Sequence, residues 1–213
     1  MGAFGIQNET QLGFGDLLAE ADAENTRRAF DRQTAHLPDT MPEGIAYFRD
    51  LIERHHVAML IADEMEVAAI REEARHLARK LNGGDVGILA HEDASGYVLA
   101  RETAADEDQV PLWGQTGSFV IEVCGVRFRI EMEGLFGIGS HSPWLGFSAH
   151  AVDLDRPFVS DTGYRSFLGA WMEPTQGIAP DIFAAEIITA YVRRDLKGHL
   201  VKIHDRYRRT DGK

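Results

Sequence analysis

A chain of 213 residues with 44% apolar and 26% charged side chains is long enough for one substantial core and too apolar for global disorder. Its net charge of −12 opposes direct nucleic-acid binding, and its single cysteine, Cys124, excludes an internal disulfide or a thiolate zinc site. No run approaches the roughly 20 apolar residues that span a bilayer, and the first residues lack the basic and apolar regions of a secretory signal, so a cytoplasmic location without membrane contact is expected.

The acid is unevenly placed. Residues 1–110 hold 22 acidic and 10 basic side chains, whereas 111–213 hold 12 of each, so the first half carries the whole net charge. From Arg193 onward the sign reverses, with eight basic against three acidic residues. Opposed poles of this kind steer a protein partner or favour pairing with a second copy.

Residues 1–39 are predicted as a mobile lead-in of 13 residues, then a helix over Phe14 to His36 that Leu37-Pro38 breaks. A single α+β domain is expected over 40–213. Thr40 and Glu43 have capping-box spacing, and Ile45, Phe48, Ile52, His55 and Met59 recur on one helical face. A second box at Asp63 and Glu66 opens a stripe of Val67, Ile70, Ala74, Leu77 and Leu81, stopped by Asn82-Gly83-Gly84. Two helices with almost no loop must run antiparallel, which predicts an αα-hairpin of 41–62 and 64–82. Arg49, Asp50, Glu53 and Arg54, then Arg71, Glu72, Glu73, Arg75 and Arg79, are assigned to its solvated faces, with His55 at the core edge and His56 outside.

The segment 85–169 is expected to be β-rich. Its clearest signal is Ser118 to Met132, where apolar residues alternate on either side of Cys124-Gly125, the pattern of a hairpin with a two-residue turn. The outer face then carries Glu122, Arg127, Arg129, Glu131 and Glu133, whose charges can pair across the strands. Phe147 to Leu154 reads as a further strand, and Pro157 to Gly169 as a turn followed by one or two helical turns. Pro180, Asp181 and Gly198 bound a closing helix over 180–197, with Phe183, Ile187, Ala190 and Tyr191 on its apolar arc, and Leu200 to Ile203 reads as an edge strand. The fold class that follows is α+β: a helical N-terminal segment and an αα-hairpin packed with a small, mainly antiparallel sheet and a C-terminal helix.

The chemistry-bearing motifs are sparse. No phosphate-binding glycine loop, H-E-x-x-H or paired C-x-x-C occurs, so neither a metal nor a cofactor is expected. Ser140, His141 and His150 are the catalytic candidates, although on a strand His150 shares its face with Val152 and reads as a buried, hydrogen-bonded histidine. The most site-like run is Ser160, Asp161, Thr162, Tyr164 and Arg165, in which N-cap residues beside an arginine could hold an anion at a helix N-terminus, with Trp144 as a stacking residue. The leading functional reading is a non-catalytic binding or regulatory protein acting through a protein interface, including an acidic inhibitor of a nucleic-acid-handling enzyme. The alternative is a small hydrolase or transferase with its pocket between the 134–146 loop and the 160–166 turn. A third reading places nucleic acid on the basic Arg193 to Lys213 end, against the overall acidity.

Overall fold

A computed structural model describes residues 9–137, 146–168 and 176–208, and the chain falls into two compact units, 1–37 and 38–213. In the first unit, helix α1 (Glu9–Gln33) begins earlier than the periodicity predicts, within the expected lead-in. The polar run that weakens its apolar stripe is held by local ion pairs, Glu24 to Arg27 at 2.5 Å and to Arg28 at 2.8 Å.

The second unit opens with the predicted helical hairpin, α2 (Met41–Ile61) and α3 (Glu64–Leu81). Ala62 adopts the left-handed conformation (φ 57°), its N–H bonding back to the carbonyls of α2, and the Asp63 side chain accepts from the Glu66 N–H at 3.0 Å. The reversal therefore takes two residues. At the other end Thr40 departs from the expected capping box, because its hydroxyl donates to Glu43 Oε2 (2.7 Å) instead of accepting a backbone N–H. Phe48, Leu51, Ile52, Ala58 and Met59 are buried on α2, and Val67, Ile70, Ala74, Leu77 and Ala78 on α3. Gly44 lets the helices close: a Cβ there would lie 2.5 Å from Leu81 Cδ1.

The β-rich region starts later than predicted. Ser95–Glu102 is a helix, α4, whose first residue donates its hydroxyl to the Ala78 carbonyl and so ties it to α3. Gly96 is required where α4 meets the loop before it, since a Cβ would sit 2.7 Å from the Ile88 carbonyl oxygen. The sheet itself is an antiparallel meander of β1 (Thr116–Val123), β2 (Val126–Glu133), β3 (Phe147–Ala151) and β4 (Tyr164–Phe167), in that spatial order. The turn between β1 and β2 is two residues long with positive φ at both, Cys124 (53°) and Gly125 (73°). That is the mirror-image turn whose twist matches the strands.

Two expectations in this region give way. β3 ends at Ala151, not Leu154, and 164–167 is a strand where helical turns were predicted. Gly163 (φ 76°) redirects the chain, its carbonyl accepts from the Ala151 N–H at 2.8 Å, and Phe167 stacks on Phe147 with centroids 4.9 Å apart, so pairing with β3 overrides the local capping signal. Helix α5 (Pro180–Arg194) starts at proline as expected and buries Phe183, Ala184, Ile188 and Val192, while Ala190 of the predicted arc is exposed. An aromatic chain runs through this core from Trp113 to Phe183 (5.3 Å), Phe147 (6.0 Å) and Phe167, ending on Tyr191 (5.6 Å). The expected edge strand at 200–203 is a single bridge, Phe158 to Val201. No helix among the described residues is long and apolar enough to cross a membrane.

Candidate interaction site at the sheet edge

Alternation along the strands sorts the predicted site residues. Phe147 and Ala149 turn inward, which leaves Ser148 and His150 on the outer face with Glu131. His150 is therefore not buried: its side chain keeps 38% exposure, its Nε2 lies 3.1 Å from Glu131 Oε2, and its ring rests 4.9 Å from that of Tyr164. Arg127 faces Glu122 in register but makes its ion pair with Asp153 on the other side, through two bonds of 3.0 and 2.7 Å. The guanidinium holds the Asp153 carboxyl below the usual carboxylate range. Ser140, His141 and Trp144 lie outside the described residues, and so does part of the expected pocket between 134–146 and 160–166. Among the described residues, no three His, Cys, Asp or Glu side chains converge as metal ligands would.

The 160–166 turn has a role that the helix expectation did not include. In β3–β4 pairing Gly163, Arg165 and Phe167 bond to β3, so Tyr164 directs its N–H and C=O outward. The Ser160 hydroxyl takes the Tyr164 N–H at 3.1 Å and reaches its carbonyl oxygen at 2.8 Å, while Thr162 Oγ1 lies 3.3 and 3.1 Å from the same groups. Two hydroxyls thus cap the outer edge of β4 at its first residue. The Asp161 carbonyl accepts from the His204 N–H (2.8 Å), and Arg165 is exposed, its guanidinium 4.6 Å above the Tyr191 ring. These residues sit together, but no helix N-terminus lies behind them.

A buried polar network supports the other side of the sheet. His55 is fully buried, its Nδ1–H donates to the Trp113 carbonyl (2.9 Å), and its Nε2 accepts from Arg71 Nε (3.1 Å). Burial, then the Arg71 charge, push the His55 pKa down to about 4. Arg71 itself is only 6% exposed, a correction to its assignment on the solvated face, and burial brings its pKa down to about 10. His56 is half-buried and accepts the Trp113 N–H at Nδ1 (3.1 Å), so neighbouring histidines grip both backbone groups of Trp113. Gly114 (φ 93°) fits beneath them, where a Cβ would lie 2.8 Å from His55 Nδ1. This anchored segment leads directly into β1.

β1 is the sheet's other edge. Because Val123 and Val126 flank a two-residue turn they exchange both main-chain bonds, and alternation then gives Phe119, Ile121 and Val123 to β2 while Ser118, Val120 and Glu122 point outward. Thr116 also points outward, and its carbonyl accepts from Ala105 N–H at 2.9 Å. Beyond that bond the outward N–H and C=O groups of Ser118, Val120 and Glu122 have no partner among the described residues. Val120 is 41% exposed in the middle of the open stretch. Beside its start lies a groove of about 750 Å³ between α4 and the strands, lined by Leu89, Tyr97, Ala100, Met132 and Phe136, with Arg101, Glu131 and Glu133 at hand. An open strand edge next to an apolar groove is the geometry that accepts an extended polypeptide.

A family model falls on the region that holds the sheet. Residues 116–206, which hold all four strands and α5, match a protein-family model described as the KlcB third domain. A protein KlcB of Escherichia coli is 39% identical over 150 residues, covering 68% of this chain and 35% of the relative. A second protein KlcB of Escherichia coli is 36% identical over 141 residues, covering 64% of this chain and 30% of that protein. No solved structure matches. The chain thus spans about a third of the length of these curated relatives, and its likeness to the family model covers the sheet and the helix packed with it.

Proposed function

We propose that this is a non-catalytic, cytoplasmic binding or regulatory protein whose protein interface is the open edge of β1. The observation that carries the reading is the backbone of Ser118, Val120 and Glu122, unpaired among the described residues, on the edge of a four-stranded sheet, with an exposed valine at its centre and no proline, lysine or bulge to blunt it. The groove beside Tyr97 and Met132 would receive side chains of the added segment. A hydrolase or transferase is less well supported, because the Ser160 and Thr162 hydroxyls are engaged on the Tyr164 backbone and Arg165 lies over Tyr191. Mimicry of nucleic acid by the acidic half is also weakened, since Arg54 lies among Asp50, Glu66 and Glu73 and breaks the acid into paired clusters.

The test compares immobilised wild-type protein with the Val120→Pro variant in lysate of the native host. Val120 donates no hydrogen bond within the sheet, so proline there blocks strand addition while leaving the β1–β2 ladder whole. Proteins retained by wild type and lost by the variant support the reading. An identical set of captured proteins with both baits, or turnover of a small molecule by the purified protein, contradicts it.

A further inference from the structure

Helix α2 carries more apolar surface than the core uses. Its buried stripe is Phe48, Leu51, Ile52, His55 and Met59, yet Val57 and Ile61, one turn apart, are 56% and 55% exposed, and Met65 at the start of α3 is 85% exposed. Val57 and Ile61 line a groove of about 380 Å³ together with the buried Ala58, and Asp50, Glu53, Arg54 and Glu66 complete its walls. Exposed apolar surface with a polar rim marks a place where another protein binds. We propose that this groove, at the tip of the αα-hairpin, receives an amphipathic helix of a partner protein whose apolar stripe is flanked by lysine or arginine. It lies on different elements from the β1 edge and does not rest on that reading.

The rim selects the charge of the occupant. Arg54 lies 3.8 Å from Asp50, 3.1 Å from Glu66 and 3.6 Å from Glu73, so its one positive charge is shared among three carboxylates. Glu53 in the groove and Glu64 beside Met65 are exposed and make no ion pair among the described residues. The surplus around the apolar residues is therefore negative, and a basic residue on either side of an entering apolar stripe is drawn to it. The helical form follows from the walls. Both are helices, whose main-chain groups bond within themselves, so an extended segment laid there would bury its own N–H and C=O groups unpaired. A helix satisfies those groups internally and presents side chains at the four-residue spacing of Val57 and Ile61. Two nearer candidates match the rim poorly: α1 of the same chain holds six acidic against three basic residues, and a second copy carries −12 overall.

Fluorescence anisotropy of the full chain with three labelled synthetic helical peptides tests this. One peptide carries leucines at four-residue spacing flanked by lysines, the second the same leucines flanked by glutamates, and the third the same lysines with the leucines dispersed around the helix. The lysine-flanked stripe should bind at least about tenfold more tightly than either control, and more weakly as salt rises to about 0.2 M. Val57→Gln combined with Ile61→Gln should abolish that preference, and Glu53→Lys should weaken binding and flatten its salt dependence. Thermal melting establishes that the variants fold, and Glu53→Lys, at an exposed position, decides the matter if the double variant does not. Val120→Pro should bind the peptide as wild type does, which separates this surface from the strand edge. Equal binding of the dispersed peptide would show charge attraction alone and overturn the proposal. So would a preference for the glutamate-flanked peptide, no binding of any peptide, or binding that these substitutions leave intact. A wild-type dimer in sedimentation that the double substitution dissociates would give the groove to a second copy and overturn it as well.

Discussion

The two edges of the sheet answer the same problem differently. At β4 the outward backbone of Tyr164 is taken by the hydroxyls of Ser160 and Thr162, four and two residues upstream. At β1 only Thr116 is bonded, to Ala105, and Ser118, Val120 and Glu122 stay open. An unpaired edge is a liability that natural sheets blunt with charge, proline or cover. The β4 edge is capped at its first residue by a turn, whereas β1 leaves three successive outward residues open, and that longer open run is why the interface is proposed there.

The sharpest way to break the contrast uses proline on adjacent residues of β1. Ile121→Pro removes a bond that holds β1 to β2 and strands its acceptor, so a loss of about 2–4 kcal/mol is expected from denaturant unfolding. Val120→Pro, one residue away and facing outward, should stay within about 0.5 kcal/mol of wild type. Equal losses at both positions would mean that the edge is covered.

Next in size is the response to acid on the side of the sheet that carries the open edge. His55 is depressed to about 4 in the folded protein against an ordinary value near 6.5, so the unfolded chain takes up the proton first. Stability from this residue is full above pH ~6.5 and is lost as the pH falls towards 4, by about 3 kcal/mol in total. His55→Gln should flatten that part of the pH profile of the melting temperature. An unchanged slope would show that the grip on Trp113 is not set by a neutral histidine.

Smaller effects belong to the capped edge. Ser160→Ala combined with Thr162→Ala exposes Tyr164 N–H and C=O to water, at a cost of about 1 kcal/mol, with faster exchange of the Tyr164 amide as the specific sign. Smallest is Arg165→Ala. Its guanidinium lies over Tyr191 at an exposed site, so a change of within about 0.5 kcal/mol is expected. A loss several times larger would make Arg165 part of the scaffold.

Legibility in the sequence followed the range of the interactions. The αα-hairpin and the β1–β2 hairpin are local, so periods of 3.6 and 2 and the Asp63-to-Glu66 and Cys124-Gly125 signals sufficed to place them within a residue or so. Ser160, Asp161 and Thr162 were ambiguous because the same hydroxyl and carboxylate chemistry caps helices and closes turns. The choice between them was made by Phe167 pairing with the distant Phe147. The burial of Arg71 is legible in the spacing, since it falls between Ile70 and Ala74 on the buried stripe of α3, but residue type alone assigns arginine to a solvated face. Which edge stays open could not be read from the strands alone, since it depends on β1 being first in the spatial order and on where Ser160 and Thr162 come to rest.

The most direct measurement is residue-resolved amide hydrogen exchange in β1 of dilute protein. In dilute protein the amides of Ser118, Val120 and Glu122 should exchange near the rate of an unstructured chain, while those of Phe119, Ile121 and Val123 are strongly protected. Outward amides as slow as their inward neighbours in dilute monomeric protein would contradict the account, because they would show an edge already closed.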